Sequence, residues 1–134
     1  MQVKYYREED VLLIIGSRDG RSGGTLRDDF GVIFALEDEG IENITRLDLH
    51  RVTRFLPLDA KRGYDADSDT LTMGDKPEPD ADFRVVDNGD FVSYRQWFDD
   101  GSEWDVVAVD LRQASVHLAP ALAALPQPAS ANVG

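Results

Sequence analysis

The sequence predicts an α+β fold that is mostly β. Two repeated strand units are expected to form one pseudo-twofold sheet or sandwich, with a short helix near the C-terminus. Short apolar runs between Gly- and Asp-rich turns predict the strands, and recurrent spacings of Tyr, Asp and Leu predict the repeat. Each unit holds about 60 residues, which is marginal for an independent core, so we expect the two units to share one.

The first part of the repeated pattern is a Tyr followed five residues later by an Asp. It occurs at Tyr5 and Asp10 and again at Tyr64 and Asp69, and an apolar strand follows each Asp. An Asp in such a turn accepts hydrogen bonds from nearby backbone amides. We therefore expect structural, turn-capping roles for Asp10 and Asp69.

The second part of the pattern is an Asp-Leu pair with a hydroxyl residue five positions after the Asp. Asp48 is followed by Thr53 in this way, and Asp110 by Ser115. Neither hydroxyl has a nucleophile motif around it, so a helix-capping role is expected for both.

The predicted elements follow the same order in both units. An apolar strand is expected at 11–15, and strands joined by an acidic-Gly turn are expected across 31–49. The second unit repeats the strand pair at 91–111 and adds a strand at 83–87. The Gly-, Pro- and Asp-rich stretches between first strand and strand pair are predicted as loops, at 16–29 and 74–82. The units are assigned to residues 1–58 and 59–126, and residues 127–134 to a flexible tail.

A helix is predicted after the last strand. Leu118, Leu122 and Leu125 share one helical face, and Pro120 suits a position near a helix start. The segment 50–56 is its shorter counterpart in the first unit.

Two tryptophans are predicted to face each other across the second strand pair. If Asp100 and Gly101 form the turn, Trp97 lies opposite Trp104 as a cross-strand aromatic pair. We expect the Trp face to be covered, since large aromatic side chains are usually buried, with a binding patch as the alternative. The opposite face is expected to be core and to carry Val92, Tyr94, Val107, Val109 and Leu111.

Composition limits the partners and the compartment. The chain has 134 residues, no cysteine and a formal net charge of −12. Disulfides, thiolate metal sites and a Cys nucleophile are therefore excluded. The negative charge repels nucleic acid and anionic membranes and favours a basic protein partner. There is no signal-like start and no apolar run of about 18–20 residues, so a cytoplasmic protein is expected.

The second half contains YDADSDTL, then the acidic turn DDG, then VDLRQAS. In this order and spacing the chain resembles domain of unknown function family 2283, a group of small bacterial proteins. The matching positions are Tyr64, Asp65, Asp69 and Leu71 in the strand opening, Gly101 in the turn, and Ala114 and Ser115 at the strand end.

The sequence differs from the family pattern at some positions. Asp110 stands where the family has Glu, and the first half is a weaker copy, with Tyr6 in place of the Asp after the Tyr. The resemblance implies no settled activity, and for some members an antitoxin-side role in small toxin–antitoxin pairs. Two copies in one chain imply a covalent pseudo-dimer.

Three alternating aspartates, Asp65, Asp67 and Asp69, look like the start of a calcium loop. A calcium loop that begins at Asp65 would need Gly at its sixth position and a bidentate Glu at its twelfth. These positions hold Thr70 and Lys76. We therefore expect a structural turn, with no metal and no cofactor.

Two further groups of residues are candidates for binding. Asp48 and Asp110 recur near strand ends, where a solvated or Arg-paired role is expected; the alternative is that they approach each other near a pseudo-twofold axis, in a cleft between the units, and share a proton. Arg18 and Arg21, with Arg27, form a positive cluster in a Gly-rich loop that suits an acidic group of a partner. That loop lacks the Gly-Lys-Ser/Thr of a phosphate-binding loop.

The favoured interpretation is a non-enzymatic interaction module that binds a basic protein, such as an RNA-binding toxin, with Trp97 and Trp104 as candidate contact residues. The alternative is a small-ligand-binding protein or a hydrolase-like enzyme that uses a cleft between the units. A homodimer with a structural role is a third interpretation.

Overall fold

A computed structural model describes residues 2–16, 25–29, 31–36, 44–87, 89, 91–99 and 103–125, with the backbone alone at 25–29, 36 and 103. The tail at 127–134 and the predicted turns at 37–43 and 100–102 lie outside the described residues. Across the described part of the chain, no helix has the length and apolar character needed to cross a membrane.

Ten strands form two antiparallel five-stranded sheets among the described residues. The first sheet contains β1 (Gln2–Tyr6), β2 (Val11–Ile15), β3 (Thr25–Asp29), β4 (Val32–Leu36) and β5 (Ile44–His50). The second sheet contains β6 (Tyr64–Asp65), β7 (Thr70–Gly74), β8 (Phe83–Asp87), β9 (Phe91–Phe98) and β10 (Glu103–Arg112).

The strand order is β1-β2-β5-β4-β3 in the first sheet and β6-β7-β10-β9-β8 in the second. Each sheet thus places its last strand between its second and fourth strands. The mostly-β class with two antiparallel sheets and a short helical C-terminal segment is confirmed. A pseudo-twofold relation between the units stays a prediction.

The predicted loop at 16–29 is partly wrong, because β3 occupies Thr25–Asp29 and pairs along its whole length with β4. The segment TLRDD is too charged to be recognised as a strand from its sequence. It lies at the edge of its sheet, where charged residues are well tolerated and discourage pairing with other chains.

The predicted single helix is two short helices, α1 (Ala114–His117) and α2 (Ala119–Ala123). Pro120 has no N–H to donate to the carbonyl of Val116, so a continuous helix loses a hydrogen bond there. The counterpart after β5 is a 3₁₀ helix at Val52–Phe55.

One buried apolar cluster joins the two sheets and the helices. We call the sheet face that points into this cluster the inner face and the opposite one the outer face. The largest fully buried members are Phe34, Phe91, Leu12, Ile14, Ile44, Leu47, Leu49, Leu71, Leu111, Leu118, Val32 and Val52.

The central strand of each sheet contains one extra residue. The register shifts at Thr45 in β5 and at Val107 in β10, which is the signature of a β-bulge. Each extra residue keeps its carbonyl satisfied, since Gly16 donates to Thr45 at 2.9 Å and Asp75 donates to Val107 at 3.1 Å.

The predicted assignment of residues to the two faces of the second strand pair is wrong, because of the bulge at Val107. Trp104 pairs with Trp97, as expected, but after the bulge Val109 pairs with Ser93 and Leu111 with Phe91. Val109 and Leu111 therefore share the inner face with the Trp pair. The outer face, with Tyr94 and Val92, is not the core.

Gly63 allows the chain to enter the second sheet. It has a φ of +86°, and a Cβ built on it would lie 2.5 Å from the carbonyl oxygen of Thr72. Its own carbonyl accepts a hydrogen bond from the amide of Thr72 at 2.9 Å. A side chain at this position would push β6 away from β7.

The buried hydroxyl of Ser93 gives a stability prediction. Ser93 is buried, and its oxygen has no hydrogen-bond partner among the described residues. A buried hydroxyl without a partner carries a desolvation cost. Ser93→Ala should therefore leave the free energy of unfolding unchanged or raise it by up to about 1 kcal/mol in urea denaturation.

Thr45→Val is the matched control, because the buried Thr45 hydroxyl donates to the Ala35 carbonyl at 3.3 Å. This change should lower the free energy of unfolding by about 1 kcal/mol. A clear loss of stability in Ser93→Ala would show that its hydroxyl is satisfied in solution.

Candidate binding site

The outer face of the second sheet carries a polar group at its centre. Thr72 on β7, Tyr94 on β9 and Asp110 on β10 meet there, and Lys76 reaches over them from the segment after β7. We call these four residues the Asp110 site. The Asp110 carboxylate accepts the Thr72 hydroxyl at 2.6 Å on Oδ1 and the Tyr94 hydroxyl at 2.8 Å on Oδ2.

Lys76 is the cation of the Asp110 site. Its Nζ lies 3.3 Å from Asp110 Oδ2 and 5.0 Å from the centre of the Tyr94 ring. The carboxylate is nearly enclosed, with 9% of the side chain exposed, whereas the Lys76 side chain is 48% exposed. An ion pair with such an exposed partner contributes only about 0–1 kcal/mol.

The surroundings shift two pKa values in this site. Burial, and then the hydrogen bond to the Asp110 carboxylate, raises the pKa of the Tyr94 hydroxyl. Burial disfavours the ammonium of Lys76 and is the largest single influence on it, but the negative charge of Asp110 and the interactions with Tyr94 together outweigh burial and raise the pKa of Lys76. At neutral pH the site therefore holds an ammonium against a neutral phenol.

Two open hollows border Lys76. One has a volume of about 400 Å³ and is lined by the Asp110 site with Asp65, Asp87 and Arg112 among its neighbours. The other, which we call the acidic hollow, has a volume of about 430 Å³. Its lining includes the acidic residues Asp75, Glu78 and Asp105, with Lys76 as its cation.

The first sheet has Asp48 at the position that Asp110 holds in the second. Asp48 pairs across the strands with Leu13 and Ile33, whereas Asp110 pairs with Thr72 and Val92. The cation beside Asp48 is Arg46 on the same strand, with Nε 3.1 Å from Asp48 Oδ1.

The alternative in which Asp48 approaches Asp110 is wrong, whereas the Arg-paired role is found for Asp48, beside Arg46. Both residues face away from the shared cluster, on the outer faces of different sheets. The alternation along β5 and β10 directs Leu47, Leu49, Val109 and Leu111 to the core and therefore turns the aspartates outward. The two carboxylates do not form a pair that shares a proton.

A hollow lies at the junction of the two units, where a cleft lined by acidic residues is expected from the sequence. Its charged lining residues are basic. It has a volume of about 370 Å³, and the charged residues in its lining are Arg54, Lys61 and Arg62. Arg62 is paired with Asp59, and Arg54 stacks on Phe55 at 4.5 Å and donates to the Gly31 carbonyl. The predicted cleft lined by acids is thus replaced by a shallow basic one.

The predicted Trp pair is present, with ring centres 5.5 Å apart and planes at 66°. It lies outside the buried cluster, and Trp97 is 37% exposed. Trp97 donates to the Asp99 carboxylate at 2.8 Å, and the Arg84 guanidinium lies 4.0 Å above the Trp104 ring. The two rings therefore meet edge to face and form a partly covered end of the strand pair.

The Tyr-Asp-hydroxyl pattern of the second unit forms a compact hydrogen-bonded group, which we call the Asp69 clasp. The Asp69 carboxylate accepts the Tyr64 hydroxyl at 2.7 Å and the Ser115 hydroxyl at 2.7 Å. It also accepts the Ser115 amide at 2.9 Å, and its carbonyl accepts the Ala114 amide at 3.0 Å. Asp69 thus caps the first turn of α1 from a distant part of the chain.

The first unit has a corresponding group around Asp10. Its carboxylate accepts the Tyr5 hydroxyl at 3.2 Å and the Thr53 amide at 3.3 Å, and its carbonyl accepts the Val52 amide at 3.0 Å. Asp10 and Asp69 both have positive φ values, 54° and 51°. These geometries correct the expected role of the hydroxyls: the aspartates cap the helices, and Thr53 and Ser115 donate to them.

The alternating aspartates do not converge on a common point. Asp65 accepts the Asp67 amide at 3.1 Å and the Ser68 hydroxyl at 3.0 Å, and Asp69 is engaged in its clasp. In the part of the chain with described side chains, no three His, Asp or Glu side chains form a group suited to a metal ion.

The predicted basic cluster lies largely outside the described residues. Arg18 and Arg21 fall there, and only the backbone of Arg27 is described.

Thr72, Lys76 and Tyr94 were not identified from the sequence as partners of Asp110, because they meet only through strand pairing.

The chain matches no family model, no curated protein and no solved structure. The resemblance to domain of unknown function family 2283 stays a prediction.

The Asp69 clasp predicts a loss of stability when its charge is removed. Asp69→Asn keeps the shape but replaces one acceptor oxygen with a donor that faces the Ser115 or Tyr64 hydroxyl. We expect the free energy of unfolding to fall by about 1–3 kcal/mol in urea denaturation. Asp67→Asn is the control, since it removes the same charge from the same exposed turn, and it should change stability by less than about 0.5 kcal/mol. Equal losses in the two variants would contradict the clasp.

The clasp also predicts a pH dependence. Burial alone would raise the pKa of Asp69, but the hydrogen bonds from Ser115 and Tyr64 outweigh it and hold this pKa below its ordinary value. A depressed carboxyl pKa stabilises the fold above the unfolded value, about 3.9 for Asp, and the stabilisation is lost as pH falls through the folded value. The difference in unfolding free energy between wild type and Asp69→Asn should be constant above about pH 5 and shrink below about pH 4. A difference that does not change with pH would contradict this.

Proposed function

We propose that this protein is a non-enzymatic interaction module that binds a basic protein through the outer face of its second sheet. The observation that carries the proposal is the Asp110 site, where a nearly enclosed carboxylate holds an amine against an aromatic ring at the protein surface. Carboxylate and aromatic ring together are the chemistry that recognises a cationic side chain.

The charge around the site supports a basic partner. Three acids, Asp75, Glu78 and Asp105, line the acidic hollow beside Lys76, and the whole chain carries a formal net charge of −12. Such a field attracts cationic proteins and accelerates their association. The same field repels nucleic acid phosphate, which favours a protein partner over nucleic acid.

The resemblance described from the sequence agrees in chemistry with this proposal. An antitoxin-like protein would cover the cationic, RNA-binding surface of a toxin, and an acidic sheet face provides the complementary charge. The proposed contact surface is the outer face around Asp110 instead of the Trp97 and Trp104 pair.

The hydrolase-like alternative lacks support among the described residues. The Ser115 hydroxyl donates its proton to the Asp69 carboxylate at 2.7 Å, and the lowered pKa of Asp69 makes this carboxylate a weak general base. Asp48 and Asp110 lie on different outer faces, and the junction hollow is lined by cations. The arrangement favours binding over acid–base or nucleophilic catalysis.

The proposal predicts a local effect of charge on binding. The probe is a synthetic nonalysine peptide, and its affinity is measured by calorimetry at about 0.1 M salt, where the Debye length is about 10 Å. Asp75→Asn with Glu78→Gln should weaken binding by about 1 kcal/mol, or about fivefold.

Glu8→Gln with Glu9→Gln is the matched control, since it removes two charges from the β1–β2 turn of the other sheet. This control should weaken binding less than twofold. Equal weakening in both double variants would show that binding depends only on the net charge of the protein. It would contradict a binding face on the second sheet.

A further inference from the structure

The Lys76 ammonium is bound beside Asp110 in a way that makes it easy for another cation to displace. Its Nζ is 3.3 Å from Asp110 Oδ2, longer than the roughly 2.7–2.9 Å of a strong charge-assisted hydrogen bond. Nearly half of its side chain is exposed, and it stands on a segment outside the regular strands. The ammonium is held by this long ion pair and by its contacts with Tyr94, without a short charge-assisted hydrogen bond.

The remainder of the site does not depend on Lys76. Thr72 and Tyr94 each donate a hydroxyl proton to a different oxygen of Asp110, and the three residues stand on three adjacent strands. When the ammonium leaves, the carboxylate keeps both hydroxyl partners and its position. A pre-organised acceptor of this kind loses little entropy when it binds a new cation.

The acidic hollow gives the displaced ammonium a second position. Lys76 lines both hollows, and Asp75, Glu78 and Asp105 surround the acidic one. A long lysine stem can turn from one hollow to the other while its charge stays close to carboxylates. Displacement of Lys76 from Asp110 therefore exchanges one ion pair for others.

We propose that the Asp110 site is the receptor for a lysine side chain of the basic partner, and that Lys76 is an internal stand-in that the partner lysine displaces. This inference rests on the proposed function, since it names the side chain that the outer face recognises. The entering ammonium takes the place of Lys76 beside Asp110 Oδ2 and over the Tyr94 ring.

A lysine fits this position better than an arginine. A guanidinium binds a carboxylate best through both oxygens at once, but only 9% of the Asp110 side chain is exposed and each oxygen already has one hydroxyl donor, which leaves little room for a planar guanidinium to reach both. A compact ammonium needs only one oxygen and the ring face, which is the arrangement that Lys76 shows.

The first test replaces the stand-in with a small molecule. Lys76→Ala empties the position, and n-butylammonium, which has the stem and head of a lysine side chain, is titrated while Tm is followed. Butylammonium should raise the Tm of Lys76→Ala in a saturable way, because a ligand that binds only the folded state stabilises it. Tetramethylammonium at the same concentration has no N–H to donate and should raise the Tm less, through contact with the ring and the charge alone.

Wild type, in which Lys76 holds the position, should respond less to butylammonium than the variant. Two-dimensional NMR of Lys76→Ala gives a second readout, with butylammonium shifting the signals of Tyr94 and its neighbours. Equal Tm responses to the two cations, or equal responses of variant and wild type, would overturn the inference.

The second test uses the nonalysine peptide. Lys76→Ala should bind it at least about threefold more tightly than Lys61→Ala, which removes the same charge from the exposed junction between the units. Equal affinities would show that Lys76 does not hinder peptide binding and would overturn the inference. The proposed function is tested separately, by comparing the Asp75→Asn, Glu78→Gln variant with the Glu8→Gln, Glu9→Gln variant. No peptide binding by any variant would overturn both.

Discussion

The extra residue in the central strand of each sheet decides which side chains reach the core. Without the bulge at Val107, the alternation that puts Trp104 on the inner face would send Val109 and Leu111 outward and bury Asp110 among apolar groups. With it, both apolar residues join the shared cluster and Asp110 reaches the outer face. A carboxylate in the core would be strongly destabilising. The bulge therefore reconciles an apolar core with a polar outer face on the same strand.

The aspartates with positive φ connect the sheets to the helices. Asp69 lies at the end of the β6–β7 turn, yet its carboxylate and carbonyl accept the first free amides of α1. A helix of one turn has few hydrogen bonds of its own, so acceptors supplied from elsewhere stabilise it substantially. The group around Asp10 does the same for the 3₁₀ helix at Val52–Phe55. The recurring Tyr, Asp and hydroxyl are thus one structural device, and they leave the chemistry of recognition to other residues.

The two outer faces show how one position acquires different properties. Asp48 lies between Leu13 and Ile33 and has its cation on its own strand, in Arg46. Asp110 has Thr72 beside it and takes its cation from Lys76, on a segment outside the strands. A cation on a strand is held by the sheet, whereas one on a connecting segment can move away. This difference is why the binding proposal concerns the second sheet.

The sequence alone determined the strand-rich class, the pairing of Trp97 with Trp104, the strand at 83–87 and the recurring Tyr, Asp and hydroxyl residues of the Asp69 clasp and of the group around Asp10. These follow from local periodicity and from spacings of a few residues, which a linear reading detects. Only the tertiary structure decided the bulges, the edge strand β3, the outward direction of Asp48 and Asp110 and the partners of Asp110. A bulge reverses the face of every later residue in its strand, and Thr72, Lys76 and Tyr94 meet Asp110 only because β7 and β9 pair on either side of β10. Such contacts depend on register, and register is set by the shared core rather than by any one segment.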